Sequence, residues 1–328
     1  MTYLLGVDGG STKTLALLAQ PDGAIVGTGR GGCSNLYSLD PNHNRLPEVE
    51  GAVEAALQAA GVSAAEIAAG AFNMAGADWP EDIEHITTAM QRCGFGQQVT
   101  VVNDALGPLR AGSADGIGVT VVCGTGVAVG ARGPDGRTWH SGFWQLTQGA
   151  AELGQKAVRA VYLAELGIQP PTTLTARVLD FFGQTSVEAL LHRSTRRQRT
   201  PLNDIRHLAR ILLDEAGQGD AVARRIVQEH GATLGDYALA AARRVSIEQT
   251  PFTLVLAGGV FRHPVRLLID ALVERVQAIA PDVQVVQSQL EPVVGALLLA
   301  FDAAGFVVDE AVYNRMLATL PPTLFFIT

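Results

Sequence analysis

The sequence predicts an α/β protein of two lobes, each a mixed five-stranded sheet flanked by helices. Three observations carry that expectation. Residues 3–29 and 118–141 share one layout, in which three short apolar or β-branched runs are separated by tight polar turns. Helix-period and strand-period segments alternate after each stretch, a pattern that covers a sheet with helices. Each stretch also places a glycine turn after its first run, Gly9-Gly10 in one and Gly124-Thr125-Gly126 in the other.

In the first half, residues 3–7 have the length and character of a buried strand, and residues 14–19 read as its hairpin partner. Between them, Gly9 and Gly10 are expected to turn at positive φ and to leave no Cβ in the way of a ligand, so that backbone N–H groups face an anion. Ser11 and Thr12 add hydroxyl groups and Lys13 a positive charge. Asp8 would repel a phosphate unless a cation lay between them, which points to Mg²⁺ held by Asp8 through water. An ordinary Asp-Gly-Gly hairpin accounts for the same residues without a ligand. A third strand at 24–29 follows the Pro21-Asp22-Gly23 turn. Helices at 44–60 and 79–93 then alternate with strands at 69–73 and 98–102. Asp104 lies just past the last of these strands and opens a helix that runs towards Gly112. Open α/β sheets place ligands at such strand ends, while a plain N-cap is the alternative role.

The second half repeats the scheme with strands at 118–123, 127–132 and, after Pro134-Asp135-Gly136, at 138–141. Residues 252–257 and 283–286 are its later strands, with a helix at 264–280 between them. Residues 151–249 read as helical, with breaks at 167–171 and 183–185 and a packed helix pair over the Ala-rich stretch 221–242. Val158, Val161, Tyr162 and Leu166 recur at helical spacing, as core or subunit contacts do. Two copies of one unit, each offering a glycine turn, suggest a nucleotide clamped between two lobes.

Three segments in this order, DGGSTKT at 8–14, CGTG at 123–126 and LVLAGGVF at 254–261, resemble the phosphate and adenosine motifs of the actin-like (ribonuclease H-like) ATPases and sugar kinases. Within that superfamily the chain is similar, over essentially its whole length, to the N-acetylglucosamine kinase/BadF-type ATPase family. The resemblance implies ATP and Mg²⁺ as cofactors, an amino sugar or related hexose as acceptor, and a homodimer. It implies one lobe from residues 1–112 plus 292–328 and another from 113–291, joined by two helices, one after Gly76 and one over roughly 292–304. Gly9, Gly10, Ser11, Thr12, Lys13, Gly124, Thr125 and Gly126 would hold phosphates, and Gly258 and Gly259 would border the adenosine. Asp104 would accept the proton of the acceptor hydroxyl, with Asn35 as the main sugar contact and Gly76, Asn103, Thr125 and Trp144 beside it. One departure stands out: Gly149-Ala150-Ala151-Glu152-Leu153-Gly154 has alanine where amino-sugar kinases carry an acidic pair, so substrate choice differs or Glu152 substitutes. The alternatives are an ATPase that activates a partner enzyme through an iron–sulfur cluster held by bridging cysteines, and a sugar sensor without turnover.

Composition fits a soluble enzyme. The 328 residues suffice for two cores. Mean hydropathy is +0.21, but no apolar run approaches the ~20 residues of a spanning helix. The chain enters a strand with no basic leader, which leads to the expectation of a cytoplasmic protein. Its three scattered cysteines, Cys33, Cys93 and Cys123, suit a reducing compartment. A net charge of −8 argues against nucleic-acid binding, and the basic stretch 193–199 reads as a solvated loop. Residues 27–32 match G-x-G-x-x-G, yet the residues that follow do not start the helix a dinucleotide site needs. No P-loop string occurs, and His140 has no cysteines nearby to complete a zinc site.

Overall fold

The chain is described by a computed structural model that covers residues 2–37, 46–198, 201–202 and 204–326. In chain order its first half contains β1 (Tyr3–Gly9), β2 (Thr14–Ala19), β3 (Ile25–Gly31), α1 (Leu46–Ala60), β4 (Ile67–Met74), α2 (Pro80–Arg92), β5 (Gln98–Asn103) and α3 (Leu106–Gly112). The second half begins with β6 (Gly118–Cys123), β7 (Val127–Arg132) and β8 (Thr138–His140). The helices α4 (Ala150–Glu165), α5 (Leu174–Phe182), α6 (Val187–Thr195), α7 (Leu208–Gly217) and α8 (Ala221–Arg244) follow. The chain continues with β9 (Thr253–Ala257), α9 (Leu267–Gln277), β10 (Gln284–Gln287), α10 (Pro292–Ala303) and α11 (Glu310–Ala318). The start of the expected helix at 44–45 lies outside the described residues.

Two sheets result, ordered β3-β2-β1-β4-β5 and β10-β9-β6-β7-β8. In each, three strands run as an antiparallel meander and the meander's first strand continues in parallel with the two later ones. The duplication read from the sequence is thus a duplication of topology.

Side-chain alternation explains the layers. Every residue of β2 is buried. Ala16 and Leu18 pack into the cluster that holds Val49 and Val53 of α1, whereas Leu15 and Leu17 pack with Leu297 and Phe301 of α10. The glycines of β3 seat α1: a Cβ on Gly29 would lie 1.9 Å from the Ala52 carbonyl oxygen, and one on Gly27 would lie 2.2 Å from that of Ala56. This packing is the physical reason for the G-x-G pattern at 27–32.

Two expectations need correction. Residues 221–242 belong to one continuous 24-residue helix, α8, not to a helix pair. Gly231 does not break it, because it faces α9, where a Cβ would lie 2.4 Å from the Leu268 carbonyl oxygen. The helix after Gly76, α2, packs on β5 of its own sheet, and the partner of α10 is α3. These two meet at a glycine contact so close that a Cβ on Gly295 would sit 1.8 Å from the Gly107 carbonyl oxygen. Through α10 the contact is anchored on β1 and β4, and through α3 on β6 and β7.

Candidate active site

Parallel pairing brings the carboxyl ends of β1, β4 and β5 to one edge of the first sheet, with Asp8 opposite Asn73 and Met74 opposite Asn103. The turn after β1 is closed by the Gly10 N–H donating to the Lys13 carbonyl at 2.9 Å. Neither Gly9 nor Gly10 adopts positive φ, contrary to the sequence expectation. Gly9 instead provides space, since a Cβ there would lie 2.5 Å from Ser34 Oγ. Ser11 and Thr12 are exposed at the tip. Ser11 Oγ accepts a hydrogen bond from Asn35 Nδ2 at 2.9 Å. Asn35 Oδ1 accepts from the Tyr37 N–H, so this amide ties its own loop to the turn. Gly76, at φ +89°, does allow a close approach, but the group that approaches is Asn35 Oδ1, 2.9 Å from where a Cβ would be. The Lys13 ammonium donates to the Phe326 carbonyl, so the tail leans on the turn after β1.

Asn73 organises the two acids. Its Nδ2 donates to Asp8 Oδ1 at 2.5 Å and lies 3.3 Å from the Asp104 carbonyl oxygen, while its Oδ1 accepts from the Gly107 N–H at 2.9 Å. Burial pushes the Asp8 carboxyl up to about 7; the Asn73 hydrogen bond opposes this and the Asp104 charge adds to it. Asp104 is pushed up to about 6, first by burial and then by the charge of Asp78. Asp104 is not a helix cap, because α3 begins at Leu106 with Ala105 in the cap position. Asn103 serves the turn instead: its Oδ1 accepts the Ala105 N–H at 3.1 Å and its Nδ2 donates to Asp78 Oδ1 at 3.0 Å. No other residue hydrogen-bonds the Asp104 carboxylate among the described residues. An uncommitted acid with a raised pKa at a strand end is suited to take a proton from a bound hydroxyl.

In the second sheet, the Gly124-Thr125-Gly126 turn rests on the start of α4, whose Ala150 and Ala151 N–H groups donate to the Gly124 and Thr125 carbonyls at 2.8 and 3.2 Å. Gly149 makes this possible, since a Cβ there would lie 2.3 Å from both the Gly124 and Gly126 carbonyl oxygens. Glu152 Oε2 accepts from the Gln148 N–H at 2.6 Å and Oε1 pairs with Lys156 at 2.9 Å. Its carboxylate is therefore engaged by Gln148 and Lys156 and does not stand free in place of the missing acidic pair. Gly258, at φ +100°, packs on the Cys123 backbone, where a Cβ would lie 2.4 Å from the Cys123 carbonyl oxygen. The same carbonyl accepts the Val260 N–H at 3.0 Å, which joins the adenosine-motif segment to the second glycine turn. Gly259 and Gly124 face open space. Trp144 is 69 % exposed, on the rim of a cavity of about 310 Å³ that Asp78, Asn103 and His140 also line.

The two halves meet at these ends. Arg262, after β9, pairs with Glu291 at 2.8 Å, and the Glu291 charge reaches both Asp8 and Lys13. The sequence signature of the BadF/BadG/BcrA/BcrD ATPase family matches residues 5–300. The chain belongs to that family. Its similarity to an N-acetylmuramic acid/N-acetylglucosamine kinase of Clostridium acetobutylicum is 28% identity over 304 residues, or 92% of this chain and 98% of that protein. An N-acetyl-D-glucosamine kinase of Dictyostelium discoideum is 22% identical over 312 residues, covering 91% and 98% of the two chains. Among solved structures, a Chromobacterium violaceum protein provisionally assigned as an N-acetylglucosamine kinase superposes with a TM-score of 0.67 at 27% identity, covering 92% of this chain and 99% of that one.

For this BadF-type ATPase the sequence missed Asn73, whose signal was a lone amide inside the apolar strand AAGAFNM. It also missed Glu291, which reads as an ordinary residue before a proline-started helix. No group of three or more His, Cys, Asp or Glu side chains forms a metal cage among the described residues. The donor set fits a cation held by one carboxylate, water and phosphate: Asp8 Oδ2 takes no hydrogen bond among the described residues, and burial keeps its carboxyl at about 7 although Asn73 and the Lys13 charge oppose the shift. No helix among the described residues is long and apolar enough to cross a membrane.

Proposed function

We propose that this chain is an ATP-dependent kinase of an amino sugar, with N-acetylglucosamine or a related N-acetylhexosamine as acceptor. The observation that carries the reading is the Asn73 network, which gathers a buried carboxylate suited to a metal and a free carboxylate suited to a hydroxyl at one sheet edge. The amino-sugar kinases among its relatives supply the substrate class. In this reading the cleft lies between a lobe of residues 1–112 plus 292–328 and a lobe of residues 113–291, and α10 packing on β1 and β4 supports the assignment of the C-terminal segment to the first lobe.

The N–H groups and hydroxyls of Ser11 and Thr12 hold one end of the triphosphate over the Gly9-Gly10 turn and the 124–126 turn the other, with Gly258 and Gly259 beside the nucleoside. Lys13 contributes its charge from the side of the tail. Asp8 would hold Mg²⁺ through water, and the ion would supply neutralising charge for the phosphates. Asn35, Gly76, Asn103, Thr125 and Trp144 border the acceptor. The acceptor oxygen bonds to the γ-phosphorus, the bond to the ADP oxygen breaks, and the hydroxyl proton passes to Asp104. Because phosphoryl transfer is loose, Asp104 acts mainly by orienting the alcohol. A cytoplasmic homodimer completes the proposal.

ADP release measured with Mg·ATP against a panel of hexoses and hexosamines tests the reading. N-acetylglucosamine or a close relative is expected to stimulate release, and Asp104→Asn is expected to fold and to lose about 10²–10⁴ in kcat. ATP hydrolysis at full rate without any sugar would favour the partner-activating ATPase instead.

A further inference from the structure

We infer that Asp78 and His140 form a positioning pair across the cleft, in which Asp78 sets the turn that carries Asp104 and His140 ties that turn to closure of the lobes. The inference rests on the reading of Asp104 as the acceptor of the hydroxyl proton. Asp78 lies on the loop after β4. Its Oδ1 accepts from Asn103 Nδ2 at 3.0 Å, and Asn103 Oδ1 accepts the N–H of Ala105, the peptide that joins Asp104 to α3. Both ends of the Asn103 amide are therefore used, and the amide keeps its orientation only while Asp78 offers an oxygen.

His140 comes from the other sheet, at the end of β8. Its Nδ1 is sealed from solvent and has no hydrogen-bond partner among the described residues. The same Asp78 Oδ1 lies 3.6 Å away, beyond a true hydrogen bond. An unsatisfied buried nitrogen is unfavourable, and approach of the lobes by less than an ångström would satisfy it with a charge-assisted bond. Burial favours the neutral imidazole, with Asp78 opposing, so Nδ1–H is the donor in the closed state. The residue beside both groups is a glycine: Gly142 has φ +42°, and a Cβ there would lie 3.2 Å from both Asp78 Oδ1 and His140 Nδ1. The rims around the pair already touch through Phe143 of the second lobe, whose ring centroid lies 5.0 Å from that of Tyr37 and 6.3 Å from that of Trp79.

The test is a double-mutant cycle in the full chain, reading kcat, KM for sugar, KM for ATP and ligand-free Tm. Asp78→Ala is expected to lower kcat about 10–100-fold, as loss of placement does. Asp78→Asn retains the oxygen that Asn103 needs and is expected to recover most of that loss. His140→Phe is expected to raise the sugar KM roughly fivefold, in keeping with one hydrogen bond, without moving the KM for ATP. In the double variant His140→Phe should add nothing to Asp78→Ala. Additive effects, an Asp78→Asn variant as poor as Asp78→Ala, or a KM for ATP that rises with the sugar KM would each overturn the pair. If the wild-type chain turns over no sugar, the kinase reading falls by itself. The cycle in Tm, repeated with Mg·ATP and N-acetylglucosamine present so that the closed state is populated, then decides the pair, with additive shifts overturning it and coupled shifts supporting it.

Discussion

Asn73 shows how much one amide controls. It restrains Asp8, contacts the carbonyl of Asp104 and satisfies a backbone N–H at the start of α3. Asn73→Ala should therefore reduce stability by about 1–3 kcal/mol, the usual consequence of stranding buried polar groups, and should reduce kcat along with it; denaturant melts and steady-state rates check both. The two acids also set a pH response. Their folded values, about 7 for Asp8 and about 6 for Asp104, lie above the ordinary 3.8, so the folded chain binds more protons than the unfolded one between those limits. Ligand-free stability should consequently fall as pH rises from 4 to 7. Thermal melts across that range should show the decline, and Asp8→Asn should flatten it. Catalysis should run the other way, with kcat/KM falling below about pH 6 as Asp104 takes up its proton.

At the scale of elements, the crossing of α3 and α10 is the most constrained contact between the two sheets. A methyl group on Gly295 has no room, so Gly295→Ala should cost about 1–3 kcal/mol as the helices part. Calorimetry of the variant would measure it, and an unchanged Tm would count against the crossing as described. This contact also marks a limit of sequence reading. Strands that are short apolar runs between punctuating turns announced themselves, and the ten among the described residues lie where such runs were expected. The role of α3 did not, because seven residues containing two glycines and a proline carry little periodicity. The continuity of α8 was likewise hidden, since a glycine that faces a neighbouring backbone reads like one that ends a helix.

For the molecule as a whole, duplication was legible because each half repeats the same order of turns. The mutual placement of the halves was not, since contacts such as Asp78 with His140 or Tyr37 with Phe143 join residues far apart in sequence. The glycine turns and Asp104 were legible as motifs, whereas Asn73, Glu291 and Gly149 matter only through what the fold brings beside them. If the lobes close on their ligands, nucleotide and sugar together should lower the radius of gyration more than either alone, which small-angle scattering would register. The seam between the second glycine turn and the adenosine-motif segment has one more consequence. Cys123 is fully enclosed there and burial pushes its thiol up to about 12. Because alkylating agents and peroxides attack the thiolate, Cys123 should resist both while the fold is intact, and oxidising conditions should leave the seam it shares with Gly258 and Val260 unmodified.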